Sequence, residues 1–115
     1  MREYKLKAID DFDKKLYEVT SIDFRRKKLS IHFRGNLENS YDLDEIHVIQ
    51  STELLDIDDN EIYESDLLSD GINTYCISYD KKKGSYIGIN IKNSARRSLH
   101  FLVKKKYKVI GNYYM

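Results

Sequence analysis

The densest set of groups able to do chemistry in this chain is acidic. Within residues 52–68, TELLDIDDNEIYESDLL, Asp56, Asp58 and Asn60 alternate, and such alternation opens a calcium-binding loop. That loop also needs Gly at its sixth position and a bidentate Glu at its twelfth. Glu61 and Leu67 stand there instead, so the stretch reads as an acidic turn that holds no metal. His32, His47 and His100 are far apart in the chain. No pair has the close spacing that brings two imidazoles onto one ion. Cys76 has no neighbouring His or Lys in sequence to lower its thiol pKa. As the single cysteine it excludes an internal disulfide and suits a reducing, cytoplasmic setting. Gly84-x-x-x-Gly88 lacks the Gly-Lys-Ser/Thr that completes a phosphate loop, and no strained serine elbow is present. The expectation is a protein with no catalytic residues, no metal and no cofactor.

The second set is cationic. Lys81, Lys82, Lys83, Arg96, Arg97, Lys104, Lys105, Lys106 and Lys108 alternate with Tyr86, Phe101, Tyr107, Tyr113 and Tyr114. Cations interleaved with aromatic rings on a β-surface suit RNA or single-stranded ligands, through phosphate contact and base stacking. The charge pattern of the whole chain opposes this. Residues 35–80 carry thirteen Asp and Glu and neither Lys nor Arg, whereas residues 81–115 carry ten Lys and Arg and no acid. The acidic block would repel a polyanion, so nucleic acid ranks behind a protein partner. Packing such blocks into one small subunit costs self-repulsion. A homo-oligomer in which acidic and basic stretches of neighbouring subunits meet relieves it. Arg96, Arg97, Tyr107 and Tyr113 are the interface candidates, because Tyr and Arg are enriched at interfaces.

The elements that position these groups are strands. The chain has 115 residues, no Pro, ten Tyr and many Ile; β-branched and aromatic residues favour strands. Tyr4, Leu6 and Ala8 alternate, then residues 16–24 continue with a bulge at Thr20-Ser21, and residues 29–33 alternate again. This predicts an antiparallel meander, followed by a loop from Gly35 to Ser40 and a fourth strand over residues 46–51. Asp58-Asp59-Asn60 and Ser65-Asp66 are turns around a short strand at Ile62-Tyr63. Tyr75, Ile77 and Tyr79 share one face of a strand and Ile87, Ile89 and Ile91 share one face of the next, the two forming a hairpin closed by residues 80–84. Residues 94–103 predict a short helical turn capped by Ser94, with Leu99, Leu102 and Val103 on one face. Tyr107 to Ile110 form a last strand, with Gly111-Asn112 a turn or bulge. No apolar run is long enough for a membrane span or a signal peptide.

Three segments together resemble the YopX family of small phage and prophage proteins. Residues 2–19 are similar to its opening strand and Lys-rich turn. Thr52, Leu54, Asp56, Glu61, Ile62, Tyr63, Glu64 and Asp66 match its signature, and Val109, Ile110, Gly111, Asn112 and Tyr114 match its C-terminal motif. Glu53, Asp59 and Ser65 stand where the family has glycines, Ile9 stands where Trp is usual, and the family's Glu-Asn-Pro tail does not follow Tyr114. The resemblance implies a single YopX-like unit over residues 1–115, mainly β. It divides into a meander over 1–50 and a small barrel-like part over 51–115, with at most one or two short helical turns. It implies a homo-oligomer and no enzymatic activity. The motif residues, with Gly111 and Asn112, are expected to hold the fold. The chain then reads as an accessory protein that acts by binding. The alternatives are an anti-defence oligomer that binds a host protein or a nucleotide signal, and a nucleic-acid binder through residues 81–108.

Overall fold

A computed structural model describes residues 5–34 and 37–115. Tyr4, Gly35, Asn36 and the side chain of Phe33, all used in the strand and loop expectations above, lie outside the described residues. The fold is mainly β, with two antiparallel sheets and one short helix. The chain divides into two compact units, one running to Gln50 and including Tyr114 and Met115, the other spanning Ser51–Tyr113.

The first unit is a meander of β1 (Leu6–Asp10), β2 (Leu16–Asp23), β3 (Lys28–Arg34) and β4 (Leu37–Asp42), to which the start of β5 (Ile46–Leu55) is added beside β1. The β2–β3 register slips between Val19 and Ser21, so the bulge expected at Thr20-Ser21 is present. Alternation sends Ala8, Leu29, Ile31 and Ile46 into a core against which Tyr17, Val19, Ile22, Tyr41 and Leu43 pack. The loop expected over residues 37–40 is corrected: Leu37–Asp42 form an edge strand paired with β3. Its side chains are largely exposed, so the pairing rests on backbone bonds that leave no apolar alternation to read.

In the second unit the end of β5 pairs with β6 (Glu61–Tyr63). A sheet follows in the order β10 (Arg96–Ser98), β9 (Ser85–Asn90), β8 (Thr74–Asp80), β7 (Asp66–Ser69), β11 (Lys108–Asn112). β10 and β11 are its open edges, so the barrel-like part expected over 51–115 is not a closed barrel. Ile62, Leu68, Tyr75, Ile77, Leu99, Leu102 and Tyr107 form the core.

The helical expectation over 94–103 is corrected in its start. Residues 96–98 are strand, and α1 runs Leu99–Lys104 with Ser98 as its cap, accepting from the Phe101 N–H at 3.2 Å. Ser94 instead takes a left-handed φ of 61° in the turn before β10. Two features seat α1. A Cβ on Gly88 would overlap the Leu102 side chain and stand 3.0 Å from Tyr75 Cβ, so only glycine lets the helix approach β9. At the other end the N–H of Lys106 reaches Val103 O and that of Tyr107 reaches Leu102 O, both at 3.0 Å. This is a Schellman closure, with Lys106 at φ 65° where glycine is usual. Tyr107 and Leu102, its flanking apolar pair, are both buried.

Candidate functional site

The signature residues and the C-terminal motif meet in the second unit, through two carboxylates. Asp56 is 4 % exposed. It accepts the N–H groups of Asp58 and Asn60 at 2.9 Å, closing its own turn. Its other oxygen accepts the Val109 N–H at 2.9 Å, from a strand far along the chain. Burial pushes the Asp56 carboxyl up, but the N–H bonds from Val109, Asn60 and Asp58 outweigh it and hold the group below its usual range. Asp66 accepts the Tyr63 N–H at 2.7 Å and the Asn112 side-chain amide at 2.9 Å. The same amide donates to Glu64 O at 3.1 Å, and the Tyr113 N–H donates to Ser65 O at 2.8 Å. The Ser65 N–H donates in turn to Ile77 O. The turn at 64–66 is therefore gripped from β8 and from β11.

The other motif residues are placed around these brackets. Thr52 Oγ1 donates to Ile62 O at 2.7 Å and accepts the Leu54 N–H at 3.2 Å, tying β5 to β6 across their register slip. Leu54 packs against the core, Ile62 and Tyr63 are buried, and Glu61 and Glu64 are half-buried. Gly111 has neither a positive φ nor an atom within 4 Å of where a Cβ would stand, so no local crowding requires glycine there.

The cations of 81–108 are split rather than gathered. Lys81, Lys82 and Lys83 cap the β8–β9 hairpin, where Asp80 Oδ1 accepts the backbone N–H groups of Lys82 and Lys83. Arg96 pairs with Ile89 and Arg97 with Gly88, so strand alternation turns the two arginines to opposite faces of the sheet. Arg97 Cζ lies 5.8 Å from the Phe101 ring centre, and Lys105 Nζ lies 5.9 Å from it. Lys104 is exposed beside them, and Lys106 serves the helix closure. Lys108 pairs with Asp58 at 3.4 Å. Tyr107 is buried and contributes to the core, whereas Tyr113 is exposed. Among the described residues no carboxylate pairs with Lys81, Lys82, Lys83, Arg96, Arg97, Lys104 or Lys105.

Groups that chemistry would need are occupied or isolated. Burial, then the charge of Asp66, raises the Cys76 thiol pKa, which disfavours the nucleophilic thiolate. His47 bonds Asp11 at 2.6 Å and stacks on Tyr114 at 3.9 Å in the first unit. Asp42, Asp44 and Glu45 bring oxygens within 4.8 Å of one another, the nearest approach to a metal-ligand set among the described residues. Lys28 Nζ already stands 2.5 Å from Asp42 and supplies positive charge there.

Residues 5–115 match the family described as YopX protein. The chain belongs to the YopX family. No curated protein matches it. The crystal structure of protein EF1440 from Enterococcus faecalis is similar, with a TM-score of 0.63 and 20% identity over 97% of this chain and 94% of that one. Identity at that level speaks to the fold alone. Membership of the YopX family gives meaning to three backbone angles. Glu53, Asp59 and Ser65, the positions at which the sequence departs from the YopX glycines, have φ of 64°, 63° and 66°. At these positions residues with a Cβ take the left-handed geometry that glycine favours.

Proposed function

We propose that this YopX-family protein acts by binding rather than by turnover, as an accessory protein of a phage or prophage in a bacterial cytoplasm. One observation carries the reading. The buried carboxylates of the second unit are taken up by backbone N–H groups and an amide, while the exposed cations around Phe101 have no carboxylate partner among the described residues. Polar groups engaged in this way position a surface; they do not transfer protons. The phage setting follows from the family resemblance.

Assembly belongs to the same reading. The Lys108–Asp58 pair cancels part of the charge contrast within one subunit, and Arg96 and the lysines of the β8–β9 hairpin remain to meet acidic residues of a second copy. The binding reading is tested by purifying the tagged protein from bacterial cells. Mass spectrometry reads co-purifying protein, and the ratio of absorbance at 260 and 280 nm reads nucleic acid or nucleotide. A stoichiometric companion of either kind is expected; a bare protein with no companion contradicts the reading. Light scattering on the eluting peak at low and high salt tests assembly. The expected result is a mass above 13.7 kDa that falls as salt rises; a single species at that mass under all conditions refutes it.

A further inference from the structure

We infer that the outer surface of α1 is a stacking platform for single-stranded nucleic acid, centred on Phe101 and flanked by Arg97 and Lys105. The inference rests on the reading that the protein acts by binding, and names the ligand class. Phe101 is 38% exposed on a helix whose neighbours Leu99 and Leu102 are 1% and 0% exposed. Two cations stand over its ring, one from four residues before in the chain and one from four residues after, at 5.8 and 5.9 Å from its centre. Those distances lie at the outer limit of cation–π attraction, so a base stacking on the ring has only weak contacts to displace as the two cations move to its phosphates. Arg97 Nη1 also donates to the Arg96 carbonyl at 2.9 Å, which leaves its remaining donors available.

The platform itself is rigid. Gly88 allows the helix to sit against β9, Ser98 caps its start, and the Lys106–Tyr107 closure fixes its end. A ring preorganised in this way stacks a base at little entropic cost, while the flanking cations neutralise adjacent phosphates; these are the two elements of sequence-tolerant single-strand binding. The acidic block, which opposed this ligand in the bare sequence, is partly withdrawn. Asp56 and Asp66 are buried, and Asp58 is paired with Lys108. A duplex offers its phosphates but keeps its bases stacked, so it engages the cations without the ring.

Fluorescence anisotropy of a labelled oligothymidylate, titrated with the full chain from about 50 to about 200 mM salt, tests the inference. A duplex and anionic vesicles serve as competitors. Affinity is expected to fall with salt, with a log–log slope of about −2 if Arg97, Lys104 and Lys105 each neutralise one phosphate, at about 0.7 per contact. Phe101→Leu should weaken binding about tenfold with the slope unchanged. Arg97→Ala and Lys105→Ala should each reduce the slope by about 0.7. Circular dichroism of each variant confirms that the fold persists. The inference is overturned by absence of oligonucleotide binding, by a Phe101→Leu protein that binds as tightly as the parent, or by equal or better competition from duplex or vesicles. A protein companion recovered in the purification experiment would leave the binding reading standing in each of those cases.

Discussion

Carboxylates hold the two units in different ways. In the first unit Asp10, Asp13 and Asp23 accept N–H groups two or three residues away, in exposed turns. The ion pairs there, Lys28–Asp42 and His47–Asp11, are also partly solvated. In the second unit Asp56 and Asp66 are buried and bond residues 53 and 46 positions away. An exposed carboxylate that lets go of a nearby N–H is rehydrated at once. A buried one leaves both itself and its donors unsatisfied. The lesson is that reach together with burial, and not presence in a turn, decides whether a carboxylate organises a fold. Asp10 and Asp11 also reach Tyr41 and His47 in the first unit, but from half-buried or exposed positions. The signature residues that mark the YopX family lie where that reach is longest.

The largest expected effect breaks the buried side of the comparison. Asp56→Ala strands the N–H groups of Asp58, Asn60 and Val109 and should cost about 3 kcal/mol, read as a lowered denaturation midpoint in urea with unchanged slope. The milder Asp56→Asn carries a pH signature. Because the folded pKa of Asp56 lies below its usual 3.8, its contribution is complete above that value and is lost as pH falls through the folded pKa. The deficit of Asp56→Asn relative to the parent should therefore be full at neutral pH and shrink below pH 3.8; a deficit constant with pH contradicts the assignment. Gly88→Ala should cost about 2 kcal/mol, because the added methyl meets Leu102 and Tyr75 in a packed core.

A smaller effect of opposite sign belongs to Ser65. Its φ of 66° is held by bonds from its N–H to Ile77 O and from the Tyr113 N–H to its carbonyl, neither of which needs a side chain. Ser65→Gly should stabilise by about 0.5 to 1 kcal/mol, since a left-handed residue with a Cβ is strained. A lower melting temperature would show that the hydroxyl has a role. On the exposed side, Lys28→Ala should leave the melting temperature within error, although its ammonium bonds Asp42 at 2.5 Å.

Much of this was legible in the residues themselves. Strand alternation located the meander, the bulge after Val19 and the hairpin of β8 and β9. The resemblance marked Glu53, Asp59 and Ser65 as standing at family glycines, and all three have left-handed φ. Two edge strands, β4 and β10, were not legible. Both are polar and exposed, and their pairing is made by backbone groups common to every residue. Gly88 was excluded as part of a phosphate loop, but its actual use, close packing, is a property of the facing Leu102 and could not be read from the chain. The cation cluster was read as one patch, but strand alternation separates Arg96 from Arg97, Lys106 is a helix closure, and Lys108 is paired. Linear proximity of charge carries no information about faces.

The central claim is that buried side chains, not local turn propensity, join the signature stretch to the C-terminal strand. A double-mutant cycle on Asp66→Ala and Asn112→Ala, measured by urea unfolding, tests it most directly. The bond between them is charge-assisted and buried. The account predicts that the two losses are strongly non-additive, with a coupling of about 1 to 2 kcal/mol. Losses that simply add, as for two unconnected sites, would contradict it.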